Sequence, residues 1–97
     1  MTEGDVREVL REVIDPEIGV NIVDLGLVYG VDVEGGVVRI TMTMTSPACP
    51  LREYLQDLVE SAVISRVPDV TRVTVEIVSD PPWTEDMMTE DARRQLE

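Results

Sequence analysis

Apolar and polar positions along this chain repeat with two different periods, and each change of period marks a new element. Val6, Val9, Leu10, Val13 and Ile14 recur at helical spacing with Arg7, Glu8, Arg11 and Glu12 on the opposite side, which predicts a first amphipathic helix. Thr2 or Asp5 supplies its N-cap, and Asp15-Pro16 ends it, because a residue before proline is pushed out of the α region. Asp15-Pro16-Glu17-Ile18-Gly19-Val20-Asn21 then reads as a connecting loop. From Ile22 to Val33 the pattern turns extended: Leu25, Leu27, Tyr29, Val31 and Val33 alternate along one face, while Gly26 and Gly30 mark a bulge or a close backbone approach. Glu34-Gly35-Gly36-Val37 is a hairpin signal. The returning strand, Val37 to Thr45, points Ile40, Met42 and Met44 one way and Arg39, Thr41, Thr43 and Thr45 the other.

Helical spacing resumes over about Pro50 to Ser65, where Leu51, Leu55, Leu58, Val59, Ala62 and Val63 form a stripe that stops before Val67-Pro68-Asp69. In the next strand, Val70 to Val78, the residues Val73, Val75 and Ile77 face the core and Arg72, Thr74 and Glu76 face out. Asp80-Pro81-Pro82-Trp83 breaks that strand, and Thr84 to Leu96 reads as short acidic helical turns frayed at the end. The order predicts an α+β fold, a two-layer sandwich of helix-strand-strand-helix-strand with a short C-terminal helical tail. The third strand must join the hairpin, since a two-stranded sheet alone is marginal. With 97 residues and no internal repeat, residues 1–97 are expected to form a single domain.

Composition narrows the function. Two Tyr, one Trp and no Phe leave the core to Val, Ile, Leu and Met. Twenty acidic against eight basic residues, all eight of them Arg, give a formal charge of −12. That balance argues against nucleic acid and anionic membranes as partners, since both need a cationic footprint, and leaves basic protein surfaces and metal cations. One cysteine forms no intrachain disulfide, the N-terminus carries no basic region followed by an apolar run, and no stretch approaches membrane-spanning length, so a cytoplasmic location is expected.

The candidate chemistry centres on Ser46-Pro47-Ala48-Cys49-Pro50, where the strand pattern gives way to the helical one. Pro50 suits the first helical position, which puts Cys49 at or beside the N-cap, facing amide donors without helical partners. A thiolate is stabilised there, and cysteines so placed fall below the free-thiol pKa of about 8.5. The alternative is a small buried hydrophobe that happens to precede a helix. With no histidine, lysine or Cys-x-x-Cys, the chain has no Cys-His pair, Schiff-base lysine, dithiol cycle or multi-thiolate zinc site of its own. The sparse glycines fit neither a phosphate loop nor a dinucleotide fingerprint.

What remains around the thiol is a set of carboxylates, Asp15, Glu17 and Asp24, and hydroxyls, Thr43, Thr45 and Ser46. Thr43 and Thr45 lead into the cysteine loop, either to hydrogen-bond a bound anion or partner backbone or simply as the polar side of a strand. Asp15 and Glu17 bracket Pro16 and either line the same cleft or serve the turn. Trp83 either anchors a partner or covers the edge of its own core.

Asp15-Pro16-Glu17-Ile18-Gly19-Val20-Asn21-Ile22-Val23-Asp24-Leu25-Gly26-Leu27-Val28-Tyr29 resembles the signature of the SufT- and PaaD-like family of small iron–sulfur assembly proteins, once called a domain of unknown function. Thr43-Met44-Thr45-Ser46-Pro47-Ala48-Cys49-Pro50 is similar to its second motif and Asp80-Pro81-Pro82-Trp83-Thr84 to its third, so the likeness spans nearly the whole chain. The resemblance implies an α+β fold and a role in maturing iron–sulfur proteins, not in turning over a metabolite as an enzyme. It makes Cys49 the functional thiol, with Asp15, Glu17, Asp24, Thr43 and Thr45 around it. It also admits two roles, a general assembly factor or an accessory to a multicomponent aromatic-ring oxygenase.

A cluster takes about four protein ligands, and one thiolate cannot hold it alone. An iron–sulfur cluster, if bound transiently, is therefore shared through Cys49 with a second copy of the chain or another assembly protein. Client apoproteins are the other expected partners. Two rivals stay open: a thiol-dependent redox enzyme, weakened by the lack of His and of a resolving cysteine, and an adaptor whose cysteine only packs.

Overall fold

The computed structural model describes residues 2–45 and 49–96, the side chains of 49–51 excepted. The first helix, α1 (Glu3–Leu10), starts on a capping box: the Asp5 N–H donates to Thr2 Oγ1 at 3.1 Å, and the Thr2 N–H donates to Asp5 Oδ2 at 2.9 Å. Val6 and Leu10 are fully buried beneath it. The helix ends well before the Asp15-Pro16 stop expected from sequence. After it, Glu12 and Val13 donate to Val9 and Leu10, and the chain then straightens into an isolated antiparallel bridge between Ile14 and Asn21. Bonds from Asp15 N–H to Val20 C=O and from Ile22 N–H to Val13 C=O secure it, each at 3.0 Å. Two β-branched residues ahead of a proline favour that extended course over another helical turn. Ile14 is consequently exposed and not part of the helix stripe.

A second departure follows at once. Residues 22–26 are turns where extended chain was expected, and the first strand, β1, runs only from Val28 to Glu34. The cause is local: Asn21 Oδ1 accepts the Asp24 N–H at 2.9 Å and the Asn21 amide donates to Asp24 Oδ2 at 2.8 Å, a reciprocal side-chain pair that rewards a turn over a strand. Leu25 and Leu27 still reach the core, and both are fully buried.

The Gly35-Gly36 turn connects β1 to β2 (Val37–Met42) in antiparallel register, Glu34 opposite Val37 and Val31 opposite Ile40. The register shifts between Val28 and Gly30, the bulge that the glycine suggested. The second helix, α2 (Cys49–Arg66), places Leu55, Val59, Val63 and the following Val67 in the core at intervals of four. It is also the crossover that a parallel pair requires, since β3 (Arg72–Ile77) lies parallel to β2 and gives the order β1-β2-β3.

Val38, Ile40 and Met42 face the helices and are buried, whereas Asp32, Arg39, Thr74 and Glu76 stand on the open side, so the sheet has one covered and one polar face. β3 is an edge strand, and two of its carbonyls are occupied from α2. Arg52 donates to Ile77 C=O at 3.2 Å and Gln56 to Val75 C=O at 3.4 Å, which blunts the edge against pairing with another chain.

The chain ends in a short 3₁₀ turn, Glu85–Met87, and α3 (Glu90–Leu96). This tail is anchored, with Ala92 fully buried in the main core cluster. No helix among the described residues is long and apolar enough to cross a membrane.

Candidate functional site

Three segments far apart in sequence meet at one end of the sheet: the turn after α1, the exit of β2 and the C-terminal segment. Asp15 is 3% exposed, and its Oδ1 accepts the Glu17 N–H at 2.8 Å. Its backbone C=O takes the Ile18 and Gly19 N–H groups at 3.3 and 2.7 Å. Asp15 therefore builds the turn that presents Glu17 to solvent. Asp15→Ala is expected to cost about 1–2 kcal/mol in urea unfolding, because the bond from the buried Asp15 carboxylate that holds the turn is lost. Asp15→Asn keeps an acceptor oxygen and should cost less than half as much.

Thr43 and Thr45 part company. The ladder ends at Met42, the Thr43 N–H bonds Leu27 C=O at 2.8 Å, and beyond that pair the side-to-side alternation of the pleat no longer holds. Thr43 is consequently buried, 3% exposed, instead of facing outward with Arg39 and Thr41. Thr45 is half-buried and lines an open groove of about 430 Å³ together with Glu17, Ile18, Trp83, Glu85, Met88 and Leu96.

Asp24 sits elsewhere, at the junction of three segments. Its carboxylate receives the Asn21 amide and lies 3.6 Å from Arg11 Nη1, and its backbone C=O accepts the Thr89 N–H at 2.8 Å. These contacts tie the end of α1 and the C-terminal segment to the 22–26 turns. Ser46 lies outside the described residues, as does the side chain of Cys49, whose backbone opens α2. Cys49 follows Thr45 by four positions, which bounds the distance between their Cα atoms at about 14 Å.

The sequence reading missed most of the groove wall. Trp83 covers the edge of its own core, the second role left open for it: its Nε1–H donates to Leu25 C=O at 2.6 Å, holding it in place, and the residue also lines the groove. The Tyr29 hydroxyl donates to Pro81 C=O at 2.7 Å and fixes the segment just before Trp83. Gly26, with φ +80°, lies directly under Met87. None of Glu85, Met88 and Leu96 carries a local signal for this site. Among the described residues no cluster of three or more His, Cys, Asp or Glu side chains is placed to hold a metal ion.

The iron–sulfur cluster assembly protein family model matches residues 3–77. The chain is 46% identical over 85 residues to the Fe-S protein maturation auxiliary factor SufT of Staphylococcus aureus, covering 87% of this chain and 96% of that one. It is 38% identical over 93 residues to an Escherichia coli protein provisionally named as one component of 1,2-phenylacetyl-CoA epoxidase, covering 95% of this chain and 55% of that one. In three dimensions it superposes on the crystal structure of a domain of unknown function from Bacillus anthracis with a TM-score of 0.92 at 41% identity, covering 97% of this chain and 90% of that one.

Proposed function

The chain belongs to the iron–sulfur cluster assembly protein family, and from that premise we propose that it is an accessory factor that helps load iron–sulfur clusters into client proteins, using Cys49 as its functional thiol. The observation that supports this most directly is the match to the Staphylococcus aureus maturation factor over 96% of that protein's length. The oxygenase-linked reading has less support, since the chain spans just over half of the epoxidase component it resembles. The role is one of delivery and not of metabolite turnover.

The cluster is cargo in this reading. One sulfur per chain leaves most of the iron coordination to others, and carboxylates and hydroxyls serve sulfide-bridged iron less well than thiolates. The cluster would thus be held jointly, by Cys49 and by thiolates of an assembly protein, a client or a second copy. Thr45, on the strand exit four residues before Cys49, would orient what the thiol holds.

The test is transfer from a cluster-loaded scaffold protein to an apo-client, followed by visible absorbance and client activity under anaerobic conditions. Substoichiometric amounts of this chain should accelerate loading of a [4Fe–4S] dehydratase. Acceleration confined to an aromatic-ring oxygenase component would favour the narrower role, and none for either client would overturn the proposal. Thr45→Val keeps the branched shape and deletes the hydroxyl, so it should leave the melting temperature within a few degrees, about 0.5 kcal/mol, yet slow the transfer several-fold. Full transfer by that variant would remove Thr45 from the site.

A further inference from the structure

The groove beside Thr45 has a composition that nothing in cluster chemistry requires. Ile18, Trp83 and Met88 are half-buried against the core and form its apolar floor, and Leu96, 47% exposed, adds an apolar wall from α3. Glu17 and Glu85 are exposed and stand at its margin.

The arginines among the described residues lie or pair elsewhere. Arg7, Arg11, Arg66, Arg93 and Arg94 pair with other carboxylates, and Arg52 bonds the β3 edge. Arg39 and Arg72 belong to the sheet. Arg93 comes nearest, but it bonds the backbone C=O of Glu85 and the carboxylate of Asp86. Among the described residues neither Glu17 nor Glu85 has a cationic partner, in a chain of net charge −12.

We propose that this groove docks a short segment of a partner protein, one that presents apolar side chains flanked by arginine or lysine. Its volume falls within the roughly 300–1,000 Å³ of ordinary binding pockets, and among the described residues its lining is mainly apolar, with Thr45 and the two carboxylates as its polar side chains. The apolar floor supplies contact area, and the two carboxylates select the sign of charge that flanks it. An acidic segment would meet like charge on both sides. The inference rests on reading the chain as an accessory factor that acts on other proteins. It adds where such a protein is held, in a groove whose Thr45 Cα lies within about 14 Å of the Cys49 Cα by the chain-length limit.

Trp83 is the sole tryptophan, so its emission reports the groove directly in the full-length chain. The probe is a short synthetic peptide of leucines and arginines without Trp or Tyr, and the comparator carries glutamate in place of arginine. The arginine peptide should shift Trp83 emission saturably, more weakly as salt is raised, and the glutamate peptide should not. Glu17→Gln combined with Glu85→Gln should weaken binding about fivefold, the effect of two exposed ion pairs. Glu34→Gln combined with Glu60→Gln removes the same charge at positions that do not line the groove and should leave binding unchanged.

No emission change with the arginine peptide, equal binding of the glutamate peptide, or equal weakening by both double variants would each overturn the proposal. Peptide binding without any cluster delivery by the native protein would overturn the assembly role on which docking rests, whereas delivery without peptide binding would overturn the docking alone.

Discussion

Gly26→Ala should destabilise the protein by about 3 kcal/mol, the sum of a left-handed backbone penalty and an overpacking penalty. For a chain of 97 residues that is a fall of roughly 10–20 °C in melting temperature. Gly26 has φ +80°, where a Cβ is strained, and a Cβ there would overlap the Met87 carbonyl oxygen and stand 2.8 Å from the Met87 Cβ. Relief requires the C-terminal segment to lift. That movement would loosen the Thr89 to Asp24 bond and the Trp83 to Leu25 bond, so the groove should suffer along with stability. Gly19 provides the control. It has the same φ of +80° but nothing within 4 Å of a built Cβ, so Gly19→Ala should cost only the backbone part, about 1–2 kcal/mol. Equal losses at the two positions, read by thermal and urea unfolding, would mean that the C-terminal segment does not press on Gly26.

Cys49→Ser should lower cluster transfer by more than about tenfold while the protein folds as before, because a serine hydroxyl stays protonated near neutral pH and is a harder donor than thiolate. Serine is well tolerated at the start of a helix, so α2 should keep its length and the melting temperature should move by only a few degrees. Transfer and thermal unfolding measured on the same preparation separate the readings of this residue. Transfer retained in full would favour an adaptor that needs no thiol, and loss of folding would assign the cysteine to packing. Reconstitution with iron and sulfide adds an independent check. Native protein should acquire visible absorbance only in a dimer or mixed complex, and a monomer with a full cluster would contradict sharing.

The parts of the fold that were legible in sequence are those decided within one turn or one ladder step. The Thr2 and Asp5 cap, the stripe of Leu55, Val59 and Val63, and the Glu34 to Val37 hairpin each place their interacting residues three or four positions apart, so their pattern is their cause. Even the missed turns at 22–26 had a local signature, Asn21 and Asp24 three apart with Gly26 after them, which the alternation of Leu25 and Leu27 concealed. The same motifs sufficed to place the chain in its family, because Asp15 to Tyr29 and Thr43 to Pro50 are contiguous strings.

Tertiary structure decided the rest, and the site above all. Asp15 and Glu17 are two residues apart in sequence, yet one is buried as the turn's acceptor and the other stands at the groove. Thr43 and Thr45 share a strand period, yet only Thr45 lines the groove, because the ladder stops at Met42. The groove itself joins Glu17 and Ile18 to Trp83, Glu85, Met88 and Leu96, across more than sixty residues of chain. What brings them together is the burial of Ala92 and the bonds from Tyr29, Trp83 and Thr89 across the 22–30 segment, contacts that exist only once the sheet and its helices have formed a surface to receive them.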